Sequence, residues 1–156
     1  MRRIFAVTAV AVLLAALLAA GCGDDSSKDE GAFDEVKSVL DYLSAGDYQD
    51  AWQQLYPAVQ QAVPAGLFAQ CMSDQAEAPS EDGIDVGLVE TRSKTATLLG
   101  EEVDEVEVTV SIKSTPNGET ENSTETYNVV KADGDYFWTL KDDAIASYQA
   151  GECPKS

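Results

Sequence analysis

The stretch Val103-Asp104-Glu105-Val106-Glu107-Val108-Thr109-Val110-Ser111-Ile112-Lys113 puts Val106, Val108, Val110 and Ile112 on one side and Glu105, Glu107, Thr109 and Ser111 on the other. A period of two marks a strand with one face buried and one in water. Downstream, Thr115-Pro116-Asn117-Gly118 reads as a turn, and alternation resumes from Thr124 to Lys131. Asp133-Gly134 then predicts a tight hairpin into Tyr136 to Leu140. Three consecutive antiparallel strands follow from this. Upstream, Ile84, Val86 and Leu88 alternate with polar or small residues, and Thr95 to Leu99 forms a second short β-branched and apolar run.

Before Ser73 the period changes. Phe33, Val36, Val39, Leu40 and Leu43 recur at helical spacing and form one apolar stripe from Gly31 onward. Ala45-Gly46 ends that helix, and Asp47 reads as the N-cap of a second one carrying Tyr48, Ala51, Trp52 and Leu55. Pro57 and Pro64 each suit the first turn of a further short helix, the later one bearing Leu67, Phe68, Cys71 and Met72. Between Ser73 and Gly83 the chain is polar and carries Pro79, which reads as a surface loop: a helical half of roughly 40 residues is too small to hold a core alone. Helices followed by a meander predict an α+β domain, with N-terminal helices packed on a curved antiparallel sheet.

The N-terminus carries an address. Met1-Arg2-Arg3 is a short positive segment, Ile4 to Ala20 is an uncharged run of 17 residues, and Ala19-Ala20-Gly21 leads into Cys22. A charged start, an apolar core and a small-residue exit describe a cleaved signal peptide. The segment Leu18-Ala19-Ala20-Gly21-Cys22 resembles the lipobox of bacterial lipoproteins. That resemblance implies cleavage after residue 21, diacylglycerol on Cys22 and a chain anchored on the extracytoplasmic side of the cell membrane, with palmitate as an expected acyl chain. Two or three acyl chains make a stable anchor where one does not. The domain organisation is then a signal peptide over 1–21, a lipidated Cys and disordered tether over 22–31, and one α+β domain over 32–156.

Charge restricts the function further. The 156 residues include 10 Lys and Arg, 28 Asp and Glu and no His, for a net charge of −18. Cleavage removes Arg2 and Arg3, leaving 8 basic against 28 acidic side chains, hence −20. Such a chain repels phosphate backbones, so nucleic-acid binding is excluded. The lack of His removes the commonest general base and the commonest zinc ligand. In an oxidising compartment Cys71 and Cys153 form an even pair once Cys22 is lipidated. If bonded, they close a loop whose entropy stabilises the fold by roughly 4.5 kcal/mol; the alternative is two separate thiols.

A second resemblance lies in Leu43-Ser44-Ala45-Gly46-Asp47-Tyr48-Gln49-Asp50-Ala51-Trp52, Phe68-Ala69-Gln70-Cys71 and Lys131-Ala132-Asp133-Gly134-Asp135-Tyr136-Phe137-Trp138. These segments resemble the nuclear-transport-factor-two-like, cystatin-like cone proteins, a domain common in small lipoproteins of high-GC Gram-positive bacteria. The resemblance implies a sheet wrapped around a long helix with a pocket at its open end. The family includes isomerases, dehydratases, transport adaptors and many binding domains.

No residue here is assigned a catalytic role. The family's isomerases need a pocket carboxylate and its dehydratases use His. Glu105 and Glu107 fall on the polar face of the strand and read as solvated, while capping or exposure accounts for Asp41, Asp47 and Asp50. Aromatic residues make the stronger ligand-binding case. If Trp52, Tyr56 and Trp138 meet inside the cone, with Tyr127 on the neighbouring strand, they line an apolar cavity; core filling is the simpler reading. The run Glu101-Glu102-Val103-Asp104-Glu105 lacks the loop spacing of a calcium site and reads as a solvated turn. Asn122-Ser123-Thr124 matches a glycosylation sequon by chance in a bacterial lipoprotein. The expectation is a non-catalytic binding or protein-interaction module without cofactor or metal. Its partner would be an envelope protein or, alternatively, a small apolar ligand that it carries; an isomerase-like or dehydratase-like enzyme is the remote alternative.

Overall fold

The computed structural model describes residues 29–76, 84–115 and 120–155. The signal segment, Cys22, the proline-bearing loop and most of the turn after Thr115 lie outside them. Four helices come first: α1 (Glu30–Ala45), α2 (Tyr48–Gln53), α3 (Pro57–Ala62) and α4 (Ala65–Gln75). Four strands follow, β1 (Ile84–Leu98), β2 (Glu101–Ser114), β3 (Glu121–Ala132) and β4 (Asp135–Thr139), and α5 (Asp142–Gln149) closes the domain. The strands form one open antiparallel sheet in the order β1-β2-β3-β4. The fold is α+β with helices packed on the sheet, as the periodicities predict.

The first helix starts earlier than its apolar stripe. Asp29 accepts a hydrogen bond from the Ala32 amide at 3.2 Å and caps α1, so Asp29, Glu30 and Gly31 belong to the domain and not to a tether. Gly31 has a packing role there: a Cβ at this position would lie 2.6 Å from the Tyr136 ring. Tyr136 in turn donates its hydroxyl to Asp29 at 2.8 Å, tying the cap to β4. At the other end Gly46 takes a left-handed φ of 78° and its amide returns to the Leu43 and Tyr42 carbonyls. Asp47 occupies the N-cap position of α2 without a side-chain bond. Pro57 opens α3, and Pro64 immediately precedes α4.

The two apolar runs upstream of β2 are one strand. Between them Glu90, Thr91, Arg92, Ser93 and Lys94 keep pairing with β2, because the ladder uses backbone groups and tolerates polar side chains on an exposed face. A bulge between Leu88 and Glu90 leaves Val89 exposed. The turn into β2 is Leu99-Gly100, both at positive φ (53° and 86°), as a two-residue I′ hairpin requires. Glu101 to Glu105 is therefore the start of β2, not a turn. Asp133-Gly134 (φ 55° and 93°) forms the second such hairpin, as expected.

Two apolar clusters make the core. In one, Ala32, Val36 and Leu40 of α1 cover Val106, Val108 and Val110 of β2 and Val129 of β3. The register pairs Val106 with Val129 and Val129 with Trp138, so these three project from one face. The other cluster gathers Val39, Leu55, Val59, Phe68, Val130, Ile145 and Tyr148 from five elements and the α2–α3 link. Its last two residues come from α5, which the strand-directed reading of the C-terminus missed. The signals were Asp142-Asp143 in the first turn, Ile145 and Tyr148 three apart, and Gly151 at φ 78° just beyond the end.

Candidate functional site

The four aromatic residues expected at a ligand site have separate partners. Trp52 donates its indole N–H to the Val63 carbonyl at 2.8 Å, fixing α2 against the α3–α4 corner. Tyr56 meets Phe137 edge-on at 6.0 Å, and Trp138 meets Phe68 in the same manner at 6.0 Å. The Trp138 backbone faces away from β3. Its amide donates to the Gln54 carbonyl at 3.0 Å and its carbonyl accepts from the Tyr56 amide at 2.8 Å. The link after α2 thus extends the sheet by one residue beyond β4. Trp138 is buried in the core, Trp52 and Tyr56 pack half-buried against it, and none of the concavities described below is lined by all three.

Trp138 and Tyr127 do border an open cleft of about 730 Å³, without Trp52 or Tyr56. Its base is β3 around Thr126 and Tyr127; α5 contributes Asp143 and Ser147, and the C-terminal tail forms the remaining wall. The tail is held twice: Cys153 is bonded to Cys71, with their Cα atoms 5.4 Å apart, and the Pro154 carbonyl accepts from the Gln75 amide nitrogen at 2.8 Å. Tyr127 donates its hydroxyl to Glu125 Oε2 at 2.5 Å, and burial together with that carboxylate pushes the phenol far above its ordinary range. It stays neutral and serves as a donor at physiological pH. Carboxylates outnumber ammonium groups in the lining, with Glu125, Asp143 and Glu152 against Lys141 and Lys155. The cleft is an open groove of mixed polar and apolar lining with one excess negative charge.

Glu105 departs from expectation. The strand face that carries it is covered where Val103 and Ala96 pack into the core, so its side chain is only 7% exposed. Lys94, its direct cross-strand partner, reaches Glu105 Oε1 at 2.9 Å and Glu107 Oε1 at 2.8 Å. Glu107 and Glu105 together raise the Lys94 pKa. Lys94 and Glu105, with Asp29, Asp104 and Lys131, border a second, smaller concavity of about 400 Å³. A carboxylate does therefore sit in a concavity, committed to an ion pair. Lys94→Ala leaves it buried and unpaired, an expected loss of about 2 kcal/mol in urea unfolding. Glu105→Gln should cost less; equal losses would mean that Lys94 acts by packing alone.

The neighbouring acids do not converge. Glu101, Val103 and Glu105 project to one side of β2, Glu102 and Asp104 to the other. Among the described residues no group of three or more His, Cys, Asp or Glu side chains converges closely enough to hold a metal ion. Two of the helix acids have local partners, Asp41 paired to Lys37 at 2.9 Å and Asp50 accepting from Gln53 at 3.4 Å.

Glu35 of α1 is half-buried beside β4, where its Oε1 accepts from the Trp138 amide at 3.3 Å. Burial raises its pKa above the usual 4.5, and the hydrogen bond offsets only part of that. A carboxyl with a raised folded-state pKa contributes most stability below 4.5, and that contribution is lost as pH rises through the folded value. Glu35→Gln keeps an acceptor for the amide and removes the buried charge. The variant is expected to be more stable than the parent at pH 7, with a flatter stability profile above pH 4.5. Parallel profiles in urea unfolding would refute this.

No protein-family model matches the chain, and no curated protein matches it.

Proposed function

We propose that the chain is an envelope lipoprotein, anchored through acyl chains on Cys22, whose α+β domain is a non-catalytic module for binding a partner protein. The observation that carries this reading is the division of the aromatic residues: Trp52, Tyr56 and Trp138 are used to hold elements together, and the cleft beside Tyr127 and Trp138 is open and of mixed polar and apolar lining. A carrier of apolar molecules needs an enclosed, mostly apolar site. The lipobox-like Leu18-Ala19-Ala20-Gly21-Cys22 supports the anchor, and the acidic composition supports solubility at an anionic surface.

Two measurements test it. Labelled palmitate should enter the full chain and be absent from the Cys22→Ala variant; equal labelling of both would remove the anchor. Cross-linking in the intact envelope, followed by native mass spectrometry of the purified chain, should yield a discrete protein adduct and a ligand-free mass. A stoichiometric apolar small molecule, with no adduct, would replace the interaction module with the carrier that Tyr127 and Trp138 leave as the second reading.

A further inference from the structure

The sheet is unequal at its β4 side. Pairing between β3 and β4 runs only from Asn128 to Ala132, whereas β3 begins at Glu121. Residues 121–127 of β3 therefore extend about 20 Å past the end of β4, at ~3.3 Å per residue. The direction of the backbone groups follows from Trp138. Its N–H and C=O point away from β3, so its opposite, Val129, is a non-hydrogen-bonded position, and Asn128 and Val130 face β4. The register of β3 against β2 is unbroken, so the backbone N–H and C=O of Thr126 and Thr124 point to the same side. Among the described residues they meet no hydrogen-bond partner there.

The Thr126 end of this bare edge lies in the cleft bordered by Tyr127, α5 and the disulfide-held tail, and Thr124 continues the edge just beyond it. We propose that the cleft receives an extended, cationic segment of a partner protein, which adds to β3 as a strand beyond the end of β4. This rests on the interaction-module reading and names the partner's chemistry. Strand addition supplies affinity through the Thr124 and Thr126 backbone groups. Glu125, Asp143 and Glu152 outnumber Lys141 and Lys155 in the lining by one, a small negative excess that the net charge of −18 on the whole chain reinforces; both favour Lys or Arg on the incoming strand and repel a second copy of this chain. The other sheet edge is a poorer template: β1 is bulged between Leu88 and Glu90, which breaks its register, and its Asp85 and Glu90 are balanced by Arg92 and Lys94, so it has no charge preference for a cationic strand.

The probe is a capped heptapeptide, Lys-Thr-Lys-Val-Lys-Thr-Lys, compared with the same peptide N-methylated at two adjacent central amides and with a version carrying Glu for each Lys. The full chain in detergent is titrated by NMR, and amide hydrogen exchange is read with peptide present. The lysine peptide should bind and slow exchange at Thr124 and Thr126. N-methylation, which blocks both edges of the peptide without altering its charge, should weaken binding by about tenfold, and the glutamate peptide should not bind. Failure of the lysine peptide to bind overturns the proposal, as does equal binding of the methylated peptide, or protection appearing on β1 instead. None of these results touches the cross-linked adduct or the ligand-free mass, so the broader reading fails only on those.

Discussion

Replacing both Cys71 and Cys153 by Ser is expected to remove roughly 4.5 kcal/mol of stability, from the loop-closure entropy returned to the unfolded chain. The bond spans 82 residues, so it encloses the end of α4, the whole sheet and α5 in one loop. Against a total of about 5–15 kcal/mol for a domain, that is a large share. A domain of this size should lose roughly 15 °C in thermal midpoint. Reduction of the parent protein should reproduce the loss, and urea unfolding of the Ser double variant measures it. A change below about 1 kcal/mol would mean that the unfolded chain keeps its ends together without the bond. Function should suffer too, since Cys153 holds the tail that walls the β3 cleft.

Phe68→Ala is expected to cost about 4 kcal/mol. The Phe68 ring is fully buried, 6.0 Å from Trp138 on β4 and 5.9 Å from Tyr148 on α5. Truncation opens a void where α4, β4 and α5 meet, and removes two ring contacts worth about 1 kcal/mol beyond burial. The surroundings cannot collapse easily, because Trp138 is held on both backbone groups by the α2–α3 link. Denaturant unfolding reads the loss; below about 2 kcal/mol, the cluster would be repacking around the gap. Cys71 lies one helical turn from Phe68, so this variant combined with disulfide removal should depart from additivity.

The parts of the fold legible in the sequence are those where one side chain after another repeats a local choice. The valines of β2 alternate because one face is covered by α1, and Asp133-Gly134 tolerates the positive φ that the hairpin demands. Leu99-Gly100 uses the same backbone geometry but hid it, since leucine at positive φ is costly and gives no turn signal. The helix α5 was missed because eight residues hold only two large apolar positions, too few for a periodicity to stand out from the strand before it.

The candidate site was less legible than the fold. Tyr127 and Trp138 do border the cleft, but Trp52 and Tyr56, grouped with them on aromatic character, are packed elsewhere. Glu105 illustrates the same limit. Alternation places it on the polar face of β2, yet it is buried because the core also covers that face near Val103. A strand's own sequence tells which residues share a side and cannot tell how far along the strand a covering layer extends.

By itself the sequence determined the α+β order of elements, the buried valine face of β2 from Val106 to Val110 and the acidic composition, all consequences of local periodicity and residue content. The Cys71–Cys153 bond is the pair that the cysteine count already predicted, whereas tertiary structure alone decided where the aromatic rings were spent and how far β4 pairs along β3, leaving the Thr124 and Thr126 edge bare. Those outcomes depend on distances between segments remote in the chain, and burial, ring contact and strand pairing respond to the neighbour that arrives, whatever the local pattern.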